Sequence, residues 1–402
     1  MAKNGTSNEH DPIVIVDGAR TPNGSFQGSL KDAKATELGS VAIKGALVRA
    51  GVKPEEVDEV IMGCVLPAGL GQAPARQAAH GADIPWEAGA TTVNKMCGSG
   101  MKAAMFAHDL IVAGSSEVVV AGGLESMTNA PYLMDKARAG MRMGHAKVWD
   151  HMFLDGLEDA YDPGRLMGTY AEETAQHFQF TREAQDAFAI SSLKRAKTAN
   201  EDGSFTAEIE PVTVKGRKGE TVVEQDQQPM TADLSKIPNL RPAFAKEGTV
   251  TAANSSSISD GAAALILMKA SQAEKRGLTP RARIVAHATH AQEPAWFTTA
   301  PIGAIQKALD AAGWKANDAD LYEINEAFAV VTMAAMREHD LPHDKVNIHG
   351  GACALGHPVG ASGARIIVTL MNALEKYDLK RGIASLCIGG GEATAVAIER
   401  MN

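Results

Sequence analysis

The chain has 402 residues, of which 45% are hydrophobic and 22% charged, with a formal net charge of −9. That length calls for two or three domains of ordinary globular composition. An acidic average without a Lys/Arg-rich run argues against nucleic-acid binding, and no uninterrupted apolar window of about 18 residues marks a membrane span.

The N-terminal "MAKNGTSNEHDP" is polar and lacks the apolar stretch of a secretory signal. The C-terminal "ERMN" is neither a peroxisomal nor an ER address. None of the four cysteines, Cys64, Cys97, Cys353 and Cys387, forms a C-x-x-C pair, which speaks against a structural zinc site. So few thiols suit a reducing cytoplasm.

In chain order, "AIKGALVRAGVKPEEVDEVIMG" (from Ala42) reads as an amphipathic helix, a glycine stop, a polar turn and a short strand. "NKMCGSGMKAAM" (from Asn94) sets Cys97 in a small-residue turn, with a helix expected from Ser99. "SEVVVAGGLESM" (from Ser116) reads as a buried strand ending in glycines. An insertion opens near Asn129; its Met-rich first part has no sustained period and predicts a surface excursion. "TREAQDAFAISSLKRAKTANEDG" predicts a helix capped by Thr181 and stopped at Gly203. "VTVKGRKGETVVEQD" predicts a hairpin. From Thr249 the chain returns to sheet-like sequence, with "DGAAALILM" a buried strand.

The remainder repeats the beginning. "AIQKALDAAGWKANDADLYEIN" (from Ala304) matches the segment from Ala42, with Gly313 in the place of Gly51. "GASGARIIVTLMNALEK" and "IASLCIGGGEAT" follow as counterparts of "GSGMKAAMFAHDLIVAG" and "SEVVVAGGLESM". Two related α/β halves are expected, with a site between them.

Four small-residue loops carry reactive groups. Cys97 precedes a helix start, whose N–H groups favour a thiolate. Asn325 opens "NEAFAVV", although an Asn there is also an ordinary helix cap. His357 stands before Pro358 in "GGACALGHPVGASGA", where the proline holds it extended. Cys387 ends a strand before Gly389–Gly391. A lone cysteine is usually a small core residue. Together the loops supply a nucleophile, proton carriers and backbone donors, which acyl transfer requires.

"NKMCGSGMKA", "GGLESMTNAPY", "NEAF", "GGACALGHPVGASGAR" and "CIGGGEA" resemble the thiolase family, in order, from about Ile13 to Met401. The resemblance implies an α/β fold of two similar βαβαβαββ halves in five α-β-α-β-α layers plus an inserted loop domain. Its boundaries would be 1–128 with 249–278 for the N-terminal half, 129–248 for the loop domain and 279–402 for the C-terminal half. It implies acetyl-CoA C-acetyltransferase activity: reversible Claisen condensation of two acetyl-CoA to acetoacetyl-CoA and CoA, possible also with 2-methylacetoacetyl-CoA. The alternative is a degradative 3-ketoacyl-CoA thiolase of broader chain length.

By the same resemblance Cys97 is the acylated nucleophile, His357 its base and Cys387 the base for the second substrate. Asn325 and His357 serve one oxyanion hole, and the N–H groups of Cys97 and Gly389 the other. Met167, Phe244, Ser256, Phe297, Ala327 and Phe328 would line the CoA and acyl sites. No metal and no cofactor beyond CoA thioesters is implied; a homotetramer or dimer is.

Two departures stand out. Arg165 and Leu166 replace the Tyr-His that many bacterial members place before Met167 and Gly168, and a nucleotide-binding Arg has no counterpart in "QQPMTADLSK". Lys215, Arg217 and Lys218 are the candidate substitutes. Members that respond to potassium carry a Tyr at the position of Leu193, so no potassium activation is expected.

Overall fold

The computed structural model describes residues 11–216 and 219–401; the first ten residues of the N-terminal stretch read above for a targeting signal, together with Arg217, Lys218 and the terminal Asn402, lie outside them. The chain is organised on a ten-stranded mixed sheet. From one edge it runs β3 (Gly89–Val93), β2 (Glu59–Gly63), β4 (Val119–Ser126), β7 (Ser259–Lys269) and β1 (Ile13–Arg20). It continues through β8 (Ala282–Ala291), β11 (Glu392–Arg400), β10 (Arg381–Ile388) and β9 (Leu321–Ile324). The short strand Gly24–Ser25 pairs off this path with β7.

The order shows the duplication. In each half a parallel pair, β2–β4 or β9–β10, is followed by an antiparallel partner, β7 or β11. The halves join where β1 pairs with β8 at only two residues, Val14 with Arg283 and Ile15 with Ala282.

Local sequence explains the match. Helix α1 (Ala35–Ala50) buries Leu38, Ala42, Ile43, Ala46 and Leu47 on one stripe and stops at Gly51, whose φ of 66° suits a residue without a Cβ. Its counterpart α6 (Ala300–Ala312) buries Ala304, Ile305, Ala308 and Leu309 and stops at Gly313 with φ 68°. A single 3-10 turn and a strand follow each helix.

Helices α3 (Ser99–Ala113) and α8 (Ser362–Lys376) lie in the middle. Their Met101, Ala104, Ile366 and Leu370 share one core with Ile15, Leu265 and Val119 of the first half and with Ala384, Leu386 and Val396 of the second. Helices α1 and α2 (Pro74–Gly81) pack the opposite face of the first sheet portion, and α6 that of the second. The result is helix, sheet, helix, sheet, helix.

Two contacts set how closely α3 and α8 approach. A Cβ on Gly100 would lie 2.9 Å from the backbone nitrogen of Ala364, and one on Gly363 2.4 Å from that of Met101. Both helix starts are thereby drawn to the same place.

The insertion holds α4 (Met167–Phe178), α5 (Arg182–Glu201) and the hairpin β5 (Val212–Gly216) with β6 (Gly219–Val223). Thr181 caps α5 as expected, its side chain accepting from Ala184 N–H at 3.2 Å. The excursion before α4 pairs Tyr132–Met134 with Val148–Asp150 and leaves Met143 83% exposed. Arg20, fully buried, donates to Glu208 and Asp226 and ties this segment to β1.

Candidate active site

Cys97 sits immediately before α3, where Met96 adopts a left-handed φ of 48°. A non-glycine residue there is strained, and the surrounding bonds hold it. Met96 N–H donates to Asn94 Oδ1 (2.9 Å), Lys95 N–H to Ser99 Oγ (2.8 Å), and Ser99 Oγ–H to Met96 O (2.6 Å).

Gly98 lies against Ile388, which would be 2.3 Å from an added Cβ. That contact joins the Cys97 turn to the β10–β11 turn. The backbone N–H groups of Gly389 and of Cys97 itself lower the thiol's pKa, favouring a thiolate. Burial nevertheless pushes the thiol up to about 11, outweighing those two donors. The backbone donors act in the direction the sequence reading expected, desolvation of the half-buried sulfur outweighs them, and a base is needed to take the proton.

His357 is buried, with its backbone N–H on Ser257 O (3.1 Å). Its Nδ1 lies 2.6 Å from Ser362 Oγ, which also bonds Pro358 O at 3.0 Å. A hydroxyl has one proton. Donated to the carbonyl, it leaves only acceptor capacity toward the ring, so Nδ1 carries the imidazole proton and Nε2 keeps its lone pair. Nε2 is buried with no protein partner. Burial first, and the Arg365 charge second, push the imidazole down to about 3, so it is neutral and able to accept.

Asn325 is buried at the end of β9, its backbone N–H on Ser385 O (3.0 Å), two residues from Cys387. It does not cap a helix: α7 (Ala329–Glu338) begins four residues later, after Phe328. Both polar atoms of its amide are buried without a protein partner. Neighbouring Glu326 carries the structural bonds instead, to Ser192 Oγ, Asn347 Nδ2 and Cys353 N–H.

Cys387 is fully buried. Burial, then the nearby Cys97 charge, hold its thiol well above the ordinary range. It shares a cluster with Tyr170, Phe297, Ala327 and Phe328, and Met167 and Phe244 pack on it. Phe244 meets Phe328 edge to face at 6.0 Å. Gly168 leaves room for that ring: an added Cβ would be 2.3 Å from Phe244. Met167 Sδ is 3.6 Å from the Cβ position of Gly389, and Ser256 N–H donates to Ala327 O at 2.9 Å. Met167, Phe244, Phe297, Ala327 and Phe328 thus gather beside Cys387, with Ser256 joined to them through Ala327.

Sequence reasoning missed two supports. Ser362, within "GASGAR", carries no local signal of its bond to the imidazole five residues back. Glu125, inside the quoted "GGLESM", accepts from Val65 (2.9 Å), Leu66 (3.1 Å) and Gly360 (2.9 Å) N–H groups, joining loops of both halves. An acidic residue ending an otherwise apolar strand was the available signal. Lys215 lies on the β5–β6 hairpin, 82% exposed beside Glu220. Leu193 packs among Ala196, Phe205 and Ile237.

Residues 13–271 match the family model for the thiolase N-terminal domain and residues 278–400 that for the thiolase C-terminal domain. An acetyl-CoA acetyltransferase of Cupriavidus necator is 50% identical over 390 residues, covering 96% of this chain and 99% of that protein. Acetyl-CoA acetyltransferase 2 of Arabidopsis thaliana is 50% identical over 403 residues, covering 99% and 100%. The crystal structure of the Bacillus anthracis acetyl-CoA acetyltransferase superposes with a TM-score of 0.95 at 41% identity, covering 98% of this chain and all of that one.

Proposed function

This chain belongs to the thiolase family, and we infer that it is an acetyl-CoA C-acetyltransferase, condensing two acetyl-CoA to acetoacetyl-CoA and CoA and running the reverse thiolysis. The observation that carries the mechanism is the pair of Gly389 and Cys97 N–H groups, which favour a thiolate at the Cys97 sulfur, together with the buried, unpartnered Nε2 of His357.

His357 Nε2 takes the Cys97 proton as the sulfur attacks the acetyl carbonyl carbon. The two N–H groups receive the oxyanion, a contribution typically worth about 3–4 kcal/mol per donor. CoA leaves with the proton from His357, and acetyl-Cys97 remains.

For the second step, the Cys387 proton passes to His357 Nε2. The thiolate takes a proton from the methyl group of a second acetyl-CoA. The imidazolium, with a water held by Asn325, donates to the enolate oxygen. The carbanion attacks the acetyl carbon, the carbon–sulfur bond breaks, and Cys97 regains its proton from His357. Every proton is returned, and CoA thioesters are the only co-reactants this reading needs.

Phe297, Tyr170 and Phe328 pack in the same buried cluster as Cys387, which favours short acyl chains over the broad-range alternative. Thiolysis should be fast with acetoacetyl-CoA, measurable with 2-methylacetoacetyl-CoA and slow with long 3-ketoacyl-CoAs. Cytoplasmic residence fits the four free cysteines, and no helix among the described residues is long and apolar enough to cross a membrane. Assembly as a dimer of dimers, using the exposed excursion before α4, completes the reading.

Cys97→Ala tests it. We expect thiolysis of acetoacetyl-CoA to fall at least about 10³-fold. One acetyl group should appear in the intact mass of the wild type after acetyl-CoA and be absent from the variant. Full activity in Cys97→Ala would sink the assignment.

A further inference from the structure

The reaction uses the start of α3 and leaves its far end unexplained. There His108 and Asp109 face His287 of β8, in the other half. His287 Nε2 is 3.2 Å from His108 Nδ1 and 3.0 Å from Asp109 Oδ1, and the last two are 3.1 Å apart. Three potential ligand atoms therefore form a nearly equilateral triangle. The two imidazole planes are nearly perpendicular, at 83°, with centroids 4.8 Å apart.

Hydrogen bonding alone serves this triangle poorly. Two ring nitrogens facing each other and one carboxylate oxygen present three short edges. Whichever nitrogens are protonated, no arrangement gives every edge its own proton. A cation satisfies all three atoms at once. With metal–ligand bonds of about 2.0–2.1 Å, two ligands 90–110° apart at the ion are separated by roughly 2.8–3.4 Å, and the observed edges of 3.0–3.2 Å fall in that range.

We propose that His108 Nδ1, Asp109 Oδ1 and His287 Nε2 bind a borderline divalent cation of the zinc class, with water in the remaining positions. Two imidazoles and one carboxylate suit such ions over calcium or magnesium, which prefer all-oxygen sets. Asp109 is 54% exposed at its side chain while the two imidazoles are about one-fifth exposed, which gives the ion an entry path and open coordination positions. Lys102, nearly two helical turns back on α3, is the nearby cation that the bound ion must tolerate. A search for C-x-x-C or other short-range spacings cannot find this site, since His108 and His287 are 179 positions apart.

The ion would tie α3 to β8 and so cross-link the two halves. It would stand about 14 Å along the helix from Ser99, by the rise of 1.5 Å per residue. It is therefore expected to act on stability and not on the acyl-transfer chemistry.

The test uses the full-length enzyme, stripped with a chelator and with Cys97 blocked by iodoacetamide, which removes the competing thiol. Zinc is titrated against a chromogenic chelator, and cobalt is added to a parallel sample for its visible spectrum. We expect one zinc per chain, a rise in unfolding temperature on binding, and affinity at least about tenfold weaker in His287→Ala and in Asp109→Asn. The cobalt spectrum should show nitrogen and oxygen ligation without a thiolate charge-transfer band. Unblocked variants should keep wild-type thiolysis, which checks their folding. Absence of binding, wild-type affinity in both variants, or a thiolate band would each overturn the proposal.

Discussion

Ser99 and Ser362 each stand first in a 15-residue helix, and each hydroxyl bonds a carbonyl of the loop before it, Met96 O at 2.6 Å and Pro358 O at 3.0 Å. They part company on the acceptor side. Ser99 Oγ receives a backbone N–H, that of Lys95 at 2.8 Å, whereas Ser362 Oγ receives His357 Nδ1 at 2.6 Å. In the first half the serine shapes a strained turn that presents a thiol. In the second it sets which imidazole nitrogen carries the proton. Duplication thus provided one backbone device twice, and the side chain on its acceptor side decided whether it served geometry or protonation.

The comparison is sharpened most by removing the groups that the two serines support. His357→Asn should lower kcat for thiolysis by roughly 10²–10⁴-fold, the usual loss of a general base, while acetylation of Cys97 by acetyl-CoA slows in parallel. If the rate stayed within a few-fold of wild type, the second loop would have no proton to carry. The serines themselves come next. Ser362→Ala should cost roughly ten- to hundredfold in kcat and alter the pH–rate profile, because the imidazole loses the partner that fixes its tautomer. Ser99→Ala should leave the profile's shape alone and destabilise the fold by about 1–3 kcal/mol, since the Lys95 N–H loses its acceptor. Equal effects of both variants on the profile would erase the distinction.

The contrast also explains what could be read in advance. Helix stops at Gly51 and Gly313, the cap at Thr181 and the recurring strand order depend on neighbours within a few residues, so their spacing was legible. Cys97, His357, Asn325 and Cys387 stood out because each sits among small residues that no core needs. The burial of His357, Asn325 and Cys387, and the partial burial of Cys97, were not legible. The same sequence "NKMCGSG" suits an exposed thiol at a helix start, and only packing against Ile388 and the second half reveals that desolvation dominates. Glu125 was invisible as a support because the loop ending at Gly360 lies 235 residues away.

Burial of neutral imidazoles gives a smaller, graded effect. His357 is pushed down to about 3 and His349, buried beside Tyr377 and Phe205, to about 4. Both lie below the unfolded value of about 6.5. The unfolded chain therefore takes up protons first, and stability is lost as pH falls from about 6.5 toward 3–4. Urea midpoints at neutral pH and near pH 5 should show this decline, and His357→Asn should flatten it by removing one titrating group. An unchanged slope in the variant would mean that His357 is not held neutral by the fold.

The smallest expected effect is none at all. A potassium ion needs a shell of oxygen donors, as hard cations do. Leu193 occupies the position where responsive thiolases carry a tyrosine, and here it is buried on α5 against Ala196, Ala199, Phe205 and Ile237. None of those side chains offers an oxygen, and opening the cluster to admit one would expose apolar surface on the segment that Arg20 ties to the sheet. Thiolysis rates at equal concentrations of potassium and sodium chloride should coincide. A clear rise with potassium would show that the loop domain binds the ion through other groups and that the site between the halves responds to it.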